Sequence, residues 1–94
     1  MIKEAKSFST IGHLIRTGGK KIIGEVVEEV YFYEGNIRHT LQKVQSETDK
    51  NSYFYIFQTY NLEKEHISSV IPNIFPEYIL SELLKKSREN GWNI

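Results

Sequence analysis

The chain has no cysteine, only one alanine, no net charge and no long apolar run. Without cysteine there is no disulfide, no thiolate metal site and no cysteine nucleophile, a composition that fits a reducing compartment. The longest apolar run falls far short of the roughly 20 residues that a membrane-spanning helix needs. "MIKEAKSF" is basic but has no apolar stretch behind it, so it does not read as a secretory signal. A cytoplasmic protein with no membrane partner is therefore expected. Lys+Arg and Asp+Glu are both 12. That balance argues against a general nucleic-acid binder, which carries a basic surplus, and equally against an acidic nucleic-acid mimic. Scarce alanine beside twelve isoleucines looks like AT-rich coding, as in low-GC bacteria and their phages. It suggests a bacterial or phage origin and carries no mechanism.

Ninety-four residues, 39% hydrophobic and 26% charged, make one globular domain over 1–94, since a split would leave pieces too small for a core. Residues 1–7 read as a flexible polar arm. Charge comes in blocks: Lys3, Lys6, Arg16, Lys20 and Lys21 stand against Glu4, and then Glu25, Glu28, Glu29 and Glu34 follow with no basic residue among them. Such blocks more often face each other or solvent than a ligand.

Ser9 can cap a short helix with Ile11, Leu14 and Ile15 on one face, closed by Gly18 and Gly19, although Gly12 weakens it. Residues 22–33 match a helical stripe, but their β-branched and aromatic types favour a strand, with Gly24 allowing a bulge or bend. A hairpin turn is expected at Glu34-Gly35-Asn36, a second strand over 37–46, a turn at "ETDKN" (47–51), and a third strand over 52–60. "NLEKEH" (61–66) suggests one helical turn capped by Asn61, and "ISSVI" (67–71) a short fourth strand. The C-terminal helix has the clearest signals. Pro76 and Glu77 suit its start, Lys85, Lys86 and Arg88 suit its end, and Ile79, Leu80, Leu83 and Leu84 form its apolar stripe. Glu82 can pair with Lys86, Gly91 ends the helix, and Trp92 can fold back over its last turn. The fold class is α+β. It is an antiparallel three- to four-stranded sheet with a short N-terminal helix and a C-terminal amphipathic helix, left open or rolled into a small barrel. The layout is similar to SH3-like barrels.

"SYFYIFQTY" (52–60) places five aromatic rings in nine positions. Strand alternation sends Phe54, Ile56, Gln58 and Tyr60 to one face and Tyr53, Tyr55, Phe57 and Thr59 to the other. A regular first strand puts Ile22, Val26, Val30 and Phe32 on one side and Ile23, Val27, Tyr31 and Tyr33 on the other. The expectation is an aliphatic core face and an opposite face rich in tyrosine. Three coverings compete for that second face: the N-terminal helix, a protein partner or second copy of the chain, and stacked bases of a single-stranded nucleic acid.

Other motifs favour bland readings. "RTGGKK" (16–21) lacks the strand-before, helix-after order of a phosphate loop, so its glycines are expected to end a helix. His13, His39 and His66 have no metal-ligand spacing and are expected at a surface or interface. Glu25, Glu28 and Glu29 lack the pattern of a calcium loop; a solvated strand edge or pairing with the basic arm is expected. Ser68 and Ser69 lack the turn of an exposed nucleophile.

The expected function is a non-enzymatic interaction module, an adaptor, regulator or stoichiometric inhibitor, with no cofactor and no metal. It docks on another protein or a second copy through Tyr31, Tyr33, Tyr53 and Tyr55, with Arg38 as a polar rim contact. The alternative is an RNA or single-stranded DNA binder using the same rings with Arg16, Lys20, Lys21 and Lys43.

Overall fold

The computed structural model describes residues 8–62, 68–69 and 76–94. Strands β1 (Leu14–Thr17), β2 (Lys21–Glu34), β3 (Ile37–Ser46), β4 (Tyr53–Asn61) and β5 (Ser68–Ser69) form one curled antiparallel sheet in sequence order. Helix α1 (Glu77–Glu89) follows. Among the described residues β1 and β5 do not pair with each other, so the sheet is open rather than closed into a barrel. No helix of the described residues is long and apolar enough to cross a membrane.

The short N-terminal helix is replaced by β1. Gly12, at φ +94°, turns the chain after Thr10, and the His13 N–H donates to the Thr10 carbonyl at 2.9 Å. Ile15 and Thr17, β-branched, then pair with β2. Gly18 and Gly19, at φ +56° and +79°, make the β1–β2 hairpin turn instead of ending a helix. Asn61 ends β4 instead of capping a helical turn, the Leu62 N–H donates to the Asn36 carbonyl at 2.8 Å, and residues 63–66 of that turn, His66 among them, lie outside the described residues, as does the polar arm. Of the expected fourth strand, Ser68–Ser69 pairs with β4.

The other elements stand where the residue types placed them. Residues 22–33 lie within β2, the Gly35-Asn36 loop sets Glu34 opposite Ile37, and β3 covers 37–46. Helix α1 carries Glu77 in its first turn and Lys86 and Arg88 in its last. It buries Ile79 and Leu83, half-buries Leu84, and leaves Leu80 39% exposed. Gly91, at φ +84°, lets the Trp92 N–H reach back to the Ser87 carbonyl at 2.9 Å. The indole is buried by that reversal.

Two register shifts decide which residues share a face. Ile23 is extra opposite β1, and Val27 is extra opposite β3, between the pairs Val26–Val44 and Glu28–Lys43. Gly24 is needed for close approach: a Cβ there would lie 2.6 Å from the Gln45 carbonyl oxygen and from Val44 Cγ1. Paired residues share a face. The helix face therefore carries Val30, Leu41 and Phe57 in one row and Phe32, His39 and Thr59 in the next. Val30 and Leu41 form the core cluster with Ile79, Leu83 and Trp92, and Phe32, Phe57 and Leu84 pack against it. Burying such a side chain contributes about 1.5–3 kcal/mol. The far face carries Val26, Val44 and Phe54, then Glu29, Gln42 and Ile56, and finally Tyr33, Arg38 and Tyr60.

Candidate functional site

The four tyrosines expected on one face lie on two. Tyr31 is paired with Thr40, which in turn is opposite Gln58, and Tyr33 stands beside Arg38 and Tyr60, all on the far face. Tyr53 and Tyr55 pair with Gln45 and Lys43 on the helix face. The sequence reading matched odd positions of β2 with odd positions of β4. Beyond Val27 the actual registers match odd with even.

On the far face Arg38 is not a rim contact, because its side chain is fully buried. Its Nη1 donates to Thr40 Oγ1 at 2.8 Å and to Glu29 Oε1 at 3.2 Å. Nε donates to the Tyr33 hydroxyl and Nη2 to the Phe8 carbonyl, each at 3.4 Å. The guanidinium lies 3.9 Å from the centroid of the Tyr31 ring and 5.0 Å from that of Phe8. Phe8 also meets Tyr60 edge to face at 5.0 Å. Such cation–π contacts strengthen as water is excluded. Glu29, 5% exposed at its side chain, is the counter-ion. It accepts from Ser9 Oγ at 2.9 Å and from Thr10 Oγ1 at 2.7 Å. Burial pushes the Glu29 carboxyl up, but the bonds from Arg38, Thr10 and Ser9 outweigh it and hold the group below the usual carboxylate range. These contacts fasten residues 8–10 to the sheet, which is a structural task.

A second buried polar group sits on the helix face. His39, expected at a surface or interface, is 6% exposed and packed between Phe32 and Phe57. Its Nε2 lies 2.7 Å from Glu34 Oε1, and the Tyr78 hydroxyl donates to Glu34 Oε2 at 2.7 Å. These two bonds, Tyr78 first, lower the Glu34 pKa, and the bond to Glu34 raises that of Tyr78. His39 Nδ1 is buried without a partner. No serine or threonine hydroxyl is bonded to this His–Glu pair among the described residues.

Of the exposed rings, Tyr31 (39%) lies over Arg38 and Tyr78 (55%) is bonded to Glu34, while Tyr53 and Tyr55 form a strip beside the end of α1. Tyr53 is 45% and Tyr55 37% exposed. Lys43 Nζ lies 4.7 Å from the Tyr53 ring centroid and 5.8 Å from that of Trp92, and Tyr55 meets Trp92 at 5.6 Å. The helix packs on β2 and β3 and leaves these two side chains of β4 at the boundary with water. Sequence reading placed Trp92 over the helix end but not against Tyr55, because nothing in the spacing of distant positions reports that contact.

The remaining cations are dispersed. Arg16, Lys20 and Lys21 belong to the β1–β2 hairpin, where Arg16 Nη1 donates to the Lys20 carbonyl at 3.1 Å, while Lys43 belongs to the tyrosine strip. Of the acidic block, Glu25 and Glu28 are exposed and Glu29 is consumed by Arg38. Among the described residues no group of three or more His, Asp or Glu is placed to hold a metal ion. Compared with family models, curated proteins and solved structures, the chain matches none.

Proposed function

We propose that this domain is a non-enzymatic protein-interaction module that docks through Tyr53 and Tyr55, with Lys43 against the Tyr53 ring and Trp92 against Tyr55. The observation that carries this reading is the strip itself. Two adjacent tyrosines of one strand face stay about two-fifths exposed although the same face holds the core only one pair further along. Tyrosine suits a surface that is covered part of the time, because its ring packs while its hydroxyl can stay solvated. Lys43 supplies a polar anchor and favours a partner that brings a carboxylate to the rim.

Tyr33 and Arg38 leave this reading, since their contacts go to one another and to the segment at Phe8, and Tyr31, although 39% exposed, leaves it because it lies on the opposite face against Arg38. A second copy of the chain is one form of partner. Single-stranded nucleic acid would use the same rings, but only Lys43 of the four expected cations lies against them. The test compares immobilised wild type with a Tyr53→Ser/Tyr55→Ser variant for what each retains from extracts of the source cell. A discrete protein retained by wild type alone, resistant to nuclease and little affected by moderate salt, is expected. Nuclease-sensitive material whose retention falls steeply with salt would overturn the reading.

A further inference from the structure

Among the described residues the outer edge of β2 beyond β1 is open. β1 pairs with β2 only as far as Glu25, and Val26 is reached by Gly12 and His13. The pair Glu34–Ile37 flanks a two-residue loop, so Phe32, Val30 and Glu28 exchange their bonds with β3, while Glu29 and Tyr31 direct their backbone groups outward. The extra residue Val27 keeps this phase consistent with the outward groups of Val26. Among the described residues no strand pairs with the edge at Glu29 and Tyr31.

A groove follows that edge. One part, about 240 Å³, is lined by Ile11, Glu28, Glu29, Asn90 and Trp92. The adjoining part, about 280 Å³, shares Glu29 and Asn90 and adds Val30, Tyr31, Lys86 and Glu89. Val30 belongs to one face and Tyr31 to the other, so the hollow has to wrap around the free side of the strand. Its walls favour positive charge. Glu28 and Glu89 are exposed, and α1 ends here with the negative pole of its backbone dipole. Among the described residues Lys86 is the one cation lining the groove, and it stands 3.9 Å from Glu82. The Trp92 Nε1–H is buried in the same wall without an acceptor.

We propose that the β2 edge at Glu29 and Tyr31 binds an extended basic segment of a partner protein as an added strand, with a lysine or arginine side chain held beside Glu28 and Glu89. Strand addition satisfies the outward amides and carbonyls, and alternate side chains of the guest read the groove. The charge pattern disfavours a second copy in this position, because a β2 edge laid against its twin gathers Glu28 and Glu29 of both copies, with Glu89 beside them, in one short ladder. This site is independent of the tyrosine strip, since it shares only the back of Trp92 with it.

The probe is a peptide of alternating arginine and valine, compared with its glutamate–valine counterpart and with two forms N-methylated at every second residue, one at the arginines and one at the valines. Titration is followed by amide NMR and hydrogen exchange. Binding of the basic peptide alone is expected, with new protection at Glu29 and Tyr31 and about tenfold weaker binding to a Glu28→Lys/Glu89→Lys variant. Loss of binding on N-methylation in one of the two registers is expected as well, since strand addition needs those N–H groups. Absence of binding, equal binding of both N-methyl registers, or unchanged exchange at Glu29 and Tyr31 would overturn the proposal. So would protection of those amides that appears with protein concentration alone, because it would put a second copy on the edge.

Discussion

At the scale of single residues, the Arg38–Glu29 pair is the most exacting feature of the molecule. Removing one member of a buried pair strands the other charge and typically costs about 3–5 kcal/mol. Glu29→Ala is expected to lose stability in that range, read from urea unfolding at neutral pH. The native carboxyl sits below its ordinary value, so the unfolded chain takes up its proton first as pH falls. The contribution of Glu29 is therefore complete above the ordinary glutamate pKa, near about 4.3, and is lost as pH drops through the depressed native value. Unfolding curves taken down the acid range should show this decline in wild type and a shallower one in Glu29→Gln. Equal slopes in the two proteins would remove Glu29 from the acid response. Nothing in the local sequence announced this pair. Arg38 lies in a strand of alternating residues, and it is enclosed by Tyr33 and Tyr60 on the neighbouring strands and by Tyr31 and Phe8 against its guanidinium.

At the scale of elements, legibility followed locality. The Gly35-Asn36 turn, the span of β3, and helix α1 with its Gly91 reversal are each written in a few neighbouring residues, and the structure has them. β1 was misread because Ile11, Leu14 and Ile15 fit a helical face, while the deciding influence is remote: β2 offers an edge to pair with. The tyrosine faces were misread for a related reason. Alternation within β2 and within β4 was visible, but their relative phase runs through two hairpin registers and the extra residue Val27. Gly24, expected at a bulge or bend, also owes its place to contacts across strands. A methyl group there meets the Gln45 backbone and Val44 at 2.6 Å. Gly24→Ala is expected to cost about 1–3 kcal/mol in thermal or urea unfolding, as overpacking does. A neutral or stabilising result would show that β2 and β3 can separate there at little cost.

At the scale of the whole molecule, the domain holds its core between the sheet and one helix and ties residues 8–10 across the other face. That arrangement ties Tyr33 and Arg38 into the structure, holds the 39% exposed Tyr31 ring against the Arg38 guanidinium, and leaves Tyr53 and Tyr55 at the boundary beside the helix. The functional account rests on that remainder. Its most direct measurement is site-specific photo-crosslinking in the source cell, with a benzophenone side chain at position 53 and a control at Thr48 in the β3–β4 turn. The account predicts a discrete protein adduct from position 53, at twice the chain's mass if the partner is a second copy, absent from the control and lost in a Tyr55→Ser background. No adduct at position 53, the same adducts from both positions, or an adduct that nuclease digests would contradict it.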